Sequence, residues 1–274
     1  MAEIKLSPEG QALIEAASKN QTKEVLEFLK KKDIDPNCYD TNCFTPLNCA
    51  SWFGCTETVA AMLQDPRVDP NQAGKIGEPP LFCAVQRRNL DVLKLLAWHP
   101  KVRVNQRKDD GATAFLFAAQ EGYEAEMRVL LEVPGIDVNI GLNDGASPLF
   151  LACQNGHMQA VKLLLALGKR VQTGANWGGK TPAQHARFKK HGEIAKLLDS
   201  YEKNRDRIVW DLQREFGIRG ELANPFNLFL LLLELANQSS YSYFFNDFFL
   251  FFFLFWFVLF FLPYLYPFPL LSCP

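Results

Sequence analysis

The sequence predicts an all-α protein built as a solenoid of stacked helix-turn-helix units, and three observations carry that prediction. The chain matches itself at a spacing of 34 residues, with starts at Gln11, Thr45, Pro79, Thr113, Ser147 and Thr181. An alanine stands five places after each start: Ala16, Ala50, Ala84, Ala118, Ala152 and Ala186. Apolar residues keep the same phase further on, as Val25, Val59, Leu93, Met127 and Val161 do. A period of this length marks a repeat architecture, because one short helical hairpin cannot bury its apolar side alone and must stack on neighbours.

Within each unit the elements follow in order. Thr45-Pro46, Ser147-Pro148 and Thr181-Pro182 are helix starts: a hydroxyl accepts from free backbone N–H groups, and proline fits the first turn. The first helix is short and ends near Gly54, Gly122 or Gly156, where a left-handed residue closes it. A second helix follows, with apolar residues such as Val161, Leu164 and Leu165 at helical spacing. The recurrent alanine suits a tight helix-to-helix contact that a larger side chain would force apart. Asn37, Asn71, Asn105 and Asn139 recur in the connecting loops. Units are expected near 11–44, 45–78, 79–112, 113–146, 147–180 and 181–200, forming a domain over 1–198. Over 199–220 the pattern reads as one more amphipathic helix, with Ile208, Val209, Leu212 and Phe216 on one side, capping the end of the stack.

At these residues the chain resembles the ankyrin-repeat family. Thr45-Pro46-Leu47 with Ala50 and Gly54 carries the resemblance, as does the run from Ser147-Pro148-Leu149 through Asn155-Gly156-His157. Where the family places histidine after Thr-Pro-Leu, this chain has Asn48, Phe82, Leu116, Phe150 and Gln184; Arg88 and Lys190 replace the helix-ending glycine. Each departure is expected to weaken one capping interaction. The resemblance implies a protein-interaction module or scaffold whose partner protein lies along the concave side, against loop tips and the exposed face of each first helix. The tips are then Thr41, Asn42 and Phe44; Lys75, Ile76 and Glu78; Asp109 and Asp110; Asn143 and Asp144; Trp177 and Lys180. The helix faces are Trp52 and Phe53, Gln86 and Arg87, Gln120 and Glu121, Gln154 and Asn155, Phe188 and Lys189. Exposed aromatics dominate many interfaces, so two anchors are expected, Phe44/Trp52/Phe53 at one end and Trp177/Phe188 at the other. Trp52 and Phe53 also fit a plainer role, covering the adjacent unit.

Other chemistry finds little support. Charged residues make up 22% of the 274-residue chain, and the net charge is −1. That balance gives no reason to expect a nucleic-acid partner. Seven cysteines, an odd number set mostly in helical patterns, suggest a reducing cytoplasmic or nuclear location rather than a disulfide framework. Cys38, Cys43, Cys49 and Cys55 lack the paired spacing of a structural zinc site, so packing is their expected role. His157 and His191 share one repeat position, for which the resemblance implies a structural role. Residues 174–181, from Gly174 to Gly179-Lys180-Thr181, fit a P-loop pattern formally, but a P-loop follows a buried strand and the preceding segment reads as helix. With no nucleophile paired to a base, neither catalysis nor a cofactor is expected, and a monomer is.

Beyond Arg219 the composition changes. No Lys or Arg follows it, and Phe248 to Leu262 is fifteen apolar residues without a break. The tail, 221–274, admits three readings. It is a membrane anchor using 248–271, since Leu, Phe and Val favour the bilayer; or non-coding sequence carried into the reading frame, since no basic residue flanks the run and prolines crowd its end; or a segment that is disordered or buried by a partner.

Overall fold

The computed structural model describes residues 7–217 except 42, 75–76 and 175–176. The expectations for the tail 221–274, its segment 248–271, and the loop tips Asn42, Lys75 and Ile76 lie outside the described residues. Within them the fold is all-α, with no strand beyond an isolated Trp177–Lys180 bridge. No helix among the described residues is long and apolar enough to cross a membrane.

Six hairpins follow one another: α1 (Pro8–Ser18) with α2 (Thr22–Lys30), α3 (Pro46–Phe53) with α4 (Thr56–Leu63), and α5 (Pro80–Gln86) with α6 (Leu90–Ala97). Then come α7 (Ala114–Glu121) with α8 (Glu124–Leu131), α9 (Pro148–Asn155) with α10 (Met158–Ala166), and α11 (Pro182–Phe188) with α12 (Gly192–Lys203); α13 (Arg205–Phe216) ends the order. First helices touch first helices down one row, and second helices touch second helices down the other. The core lies between the rows. The six recurrent alanines are all buried there, as are Leu13, Leu47, Leu81, Phe115 and Leu149 from the first helices.

The helix starts behave as their chemistry requires. The hydroxyls of Thr45, Thr113, Ser147 and Thr181 each accept from the backbone N–H three residues on. Asn48 and Gln184, expected to weaken this cap, strengthen it. Their side-chain oxygens accept from the backbone N–H of Thr45 (3.1 Å) and Thr181 (3.0 Å), closing a reciprocal capping box. Asn48 also donates to the Glu78 carbonyl at 3.1 Å, tying the start of α3 to the last residue of its own unit, just before α5. The first unit differs: α1 starts one turn before Gln11, capped by the Ser7 hydroxyl at 3.0 Å from Gly10 N.

Nine places after each start the backbone is left-handed in all six units, at Asn20, Gly54, Arg88, Gly122, Gly156 and Lys190, with φ from 56° to 82°. Arg88 and Lys190 therefore adopt the glycine conformation without being glycine, at a cost of about 1–2 kcal/mol each. Arg88 offsets its share by lying over the Tyr123 ring and beside the Glu126 carboxylate. Lys190 is exposed. Replacing Lys190 with glycine is expected to stabilise the protein by about 0.5–1 kcal/mol, after glycine's own entropic cost. A urea midpoint that falls in the variant would refute this.

The loop asparagines form a ladder between units. Asn37, Asn71, Asn105 and Asn139 each donate to a carbonyl of the next unit, at Arg67, Lys101, Gly135 and Arg170, over 2.7–2.8 Å. Each side-chain oxygen accepts in return from a next-unit N–H, at Asp69, Arg103, Asp137 and Gln172. One amide thus satisfies a donor and an acceptor that no helix serves.

The segment read as a single helix from 199 spans the end of α12 and all of α13, with a break at Asn204 (φ −140°). After the break α13 turns back onto α10 and α12. It covers the sides of second helices there, which differs from an end cap. Leu212 is buried, Gln213 Nε2 donates to the Ala166 carbonyl at 2.9 Å, and Lys162 pairs with Glu215 at 2.7 Å. Tyr201, fully buried, donates to the Gly168 carbonyl at 3.2 Å, just beyond α10.

Candidate protein-binding surface

The 34-residue period places one position of every first helix in a line. The residue seven places after each start is Trp52, Gln86, Gln120, Gln154 and Phe188 in the second to sixth units, so three amides lie between two aromatics. The next position gives Phe53, Arg87, Glu121, Asn155 and Lys189.

At the N-terminal end of this line, the half-buried Phe44 and Trp52 rings meet with centroids 6.0 Å apart. The Arg87 guanidinium of the next unit lies 4.9 Å from the Trp52 ring centre. Trp52 is therefore engaged with its neighbour on one face, whereas Phe53 is 60% exposed. In the middle, Gln120 Nε2 donates to Glu121 at 3.0 Å, and its carbonyl accepts from Asn155. Gln86 Oε1 is shielded from solvent and has no hydrogen-bond partner.

At the C-terminal end, Trp177 sits 5.3 Å from Phe150 and 6.2 Å from His185. Phe188 is 65% exposed, with its ring 5.9 Å from His185 and Lys180 Nζ 4.0 Å above it. The structure thus brings Trp177 and Phe188 together around a residue that sequence reasoning passed over. His185 stands four places after its start, where the second to fifth units carry Cys49, Cys83, Phe117 and Leu151. An imidazole in a column that is apolar from the second to the fifth unit, after Glu15 in the first, was the available signal. Burial holds the His185 ring below the usual histidine pKa, and Lys180 and Lys189 add to that.

The loop tips are more tied down than the sequence suggests. Asn143 reaches across to the preceding tip, donating through its side chain to the Asp109 carbonyl (2.7 Å) and through its backbone to the Asp110 carbonyl (2.9 Å). Asp110 and Asp144 each accept from the N–H two residues on, at 2.9 and 3.0 Å, which shapes their own turns. Glu78, expected at a tip, is buried.

Burial raises the thiols of Cys49 and Cys83 to about 12 and that of Cys38 to about 11, so nucleophilic thiolate is scarce near neutrality. No group of three His, Cys, Asp or Glu among the described residues could hold a metal ion. The element before the P-loop-like run is α10 followed by a short 3-10 turn at Gly168–Arg170, and the Thr181 hydroxyl is committed to its cap. His191 Nε2 lies 3.1 Å from the Gln154 carbonyl, and the His157 ring lies against Gly122. Both bridge a unit to the one before.

A family profile described as ankyrin repeats (3 copies) matches residues 66–141 and 128–207. No curated protein matches the chain. Among solved structures, it is similar to an ankyrin repeat domain from Acinetobacter baumannii AYE, with 26% identity and a TM-score of 0.61, covering 68% of this chain and 95% of that one. It is also similar to EF0377, an ankyrin repeat protein, with 27% identity and a TM-score of 0.64, covering 70% of this chain and 98% of that one.

Proposed function

The chain belongs to the ankyrin-repeat family, and from that premise we propose that it is a scaffold which holds a partner protein along its loop tips and first helices. Ankyrin repeats are in general protein-protein interaction modules, and binding in place of catalysis suits a surface of aromatics, amides and tied-down turns. The observation that carries the reading is the exposure of Phe53 and Phe188, 60% and 65%, at opposite ends of the amide line. The half-buried Trp52 precedes Phe53 in the chain, and the half-buried Trp177 and Phe188 both border the His185 ring. Large aromatics supply much of the binding energy of an interface when a partner covers them, and they cost little side-chain entropy to fix. Phe44 at the N-terminal end, and Gln86, Arg87, Gln120 and Glu121 between the two ends, complete the proposed contact surface. The six described cysteines are all unpaired, which suits a reducing compartment.

The test uses the full chain as bait and measures the affinity of each captured protein for the variant Trp52→Ala/Trp177→Ala. Loss of two anchors is expected to weaken binding by about 30-fold or more, with the circular dichroism spectrum unchanged. Equal affinity for parent and variant would refute the proposed surface.

A further inference from the structure

His185 is 8% exposed, and neither ring nitrogen has a hydrogen-bond partner. Leaving a buried polar group unpaired is unfavourable, because it gives up its hydrogen bonds to water and gains none in return. The same column avoids that cost elsewhere, with Phe117 in the fourth unit and Leu151 in the fifth. An imidazole is therefore a poor choice for packing alone. Its surroundings are a cluster of rings: Phe150 at 4.8 Å, Trp177 at 6.2 Å and Phe188 at 5.9 Å. Phe188, mostly in solvent, can turn aside at small cost and uncover the imidazole.

The charge around the cluster selects the guest. An aromatic enclosure attracts a cation, but Lys180 already occupies one face of Phe188, and Lys180 and Lys189 together set a positive potential around His185 that disfavours a further cation. Asp199, on the neighbouring α12, is paired with Arg187. Towards the middle of the stack the charge is mixed, with Asp109, Asp110 and Asp144 exposed at the tips beside Arg107 and Lys108, which pairs with Asp110, and Glu121 on α7. Lys180 and Lys189 therefore favour an acidic guest at the C-terminal end.

We propose that the pocket formed by Phe150, Trp177, His185 and Phe188 receives a carboxylate-bearing segment of the partner protein, an Asp or Glu flanked by an apolar side chain. Lys180 and Lys189 supply the countercharge, and an imidazole N–H donates to the carboxylate. The proposal rests on the scaffold reading and adds to it the chemistry of one anchor.

The experiment titrates the full chain, isotopically labelled at histidine, with the peptide N-acetyl-Phe-Asp-Glu-amide and follows the His185 ring resonance. The expected result is a saturable shift, with the uncharged N-acetyl-Phe-Asn-Gln-amide at least about tenfold weaker. Lys180→Gln/Lys189→Gln is expected to lose about tenfold for the acidic peptide while its spectrum remains folded. Equal binding of the two peptides overturns the proposal, as does inorganic phosphate that binds as well as the acidic peptide. His185→Phe keeps a ring in the pocket and removes both nitrogens; if it binds the acidic peptide with parental affinity, the imidazole has no part in recognition and the proposal falls. Capture of the natural partner separates this idea from the scaffold reading. Capture weakened by Trp52→Ala but untouched by Lys180→Gln/Lys189→Gln leaves the scaffold standing and removes the pocket. Capture weakened by Lys180→Gln/Lys189→Gln but untouched by Trp52→Ala confines the partner to the pocket and removes the two-ended scaffold surface.

Discussion

Replacing Phe115 with alanine is expected to destabilise the protein by about 3–5 kcal/mol, the range for removing a fully buried aromatic ring. Phe115 is wholly buried in α7, and α7 touches α5 on one side and α9 on the other. No other unit offers a substitute, because each unit of a linear stack contacts only its neighbours. The loss therefore falls at the join between the first three hairpins and the last three. Equilibrium urea unfolding should show a lower midpoint and, where the halves uncouple, a broadened or divided transition. Phe115→Leu is the control. Leucine occupies the same position at Leu47, Leu81 and Leu149, so this change should cost under about 1.5 kcal/mol, as shape-tolerant apolar exchanges do. Similar midpoints for the alanine variant and the parent would mean that the fourth unit does not share the common core.

Gly122→Ala is expected to cost about 2–3 kcal/mol, from two sources that a double-mutant cycle can separate. The backbone there has φ 70°, where a side chain costs about 1–2 kcal/mol. In addition, a Cβ on Gly122 would stand 2.6 Å from Cγ and Nδ1 of His157 in the next unit, well inside contact distance. Removing the ring in His157→Ala should leave the conformational cost and relieve the closest contacts, since only the Cβ at 3.1 Å remains. The pair should then be less than additive by about 1 kcal/mol. Strict additivity would show that the two units do not meet at this point. Gly156 repeats the arrangement with His191, whose Cε1 would lie 2.5 Å from an added Cβ. Together the two sites explain why glycine is retained here while Arg88 and Lys190 are tolerated elsewhere: conformation alone permits other residues, and close approach does not.

The repeat and its chemistry were legible because they are local. A hydroxyl followed by proline caps the helix that it precedes, and a residue in the left-handed conformation ends it; neither needs knowledge of a distant segment. The loop asparagines were visible as a recurrence without a cause, because their partners lie 30 to 33 residues away in the following unit. The break at Asn204 was hidden for a different reason. Ile208, Leu212 and Phe216 stay in helical phase with Tyr201, so the apolar pattern runs through the break as though the helix were continuous. Only the packing of α13 against α10 and α12 shows that the chain has turned.

By itself the sequence determined the unit, its number and its core, since a period repeated six times fixes which side of every helix must be hidden. The tertiary structure decided what the units do to one another. It showed which amides bridge them and which glycines cannot accept a side chain. It placed His185 without a partner among the rings of Phe150, Trp177 and Phe188. The physical reason is that period and phase are properties of one helix, whereas close approach, orphaned polar atoms and charge clustering arise between helices, where residues far apart in the chain first share a volume.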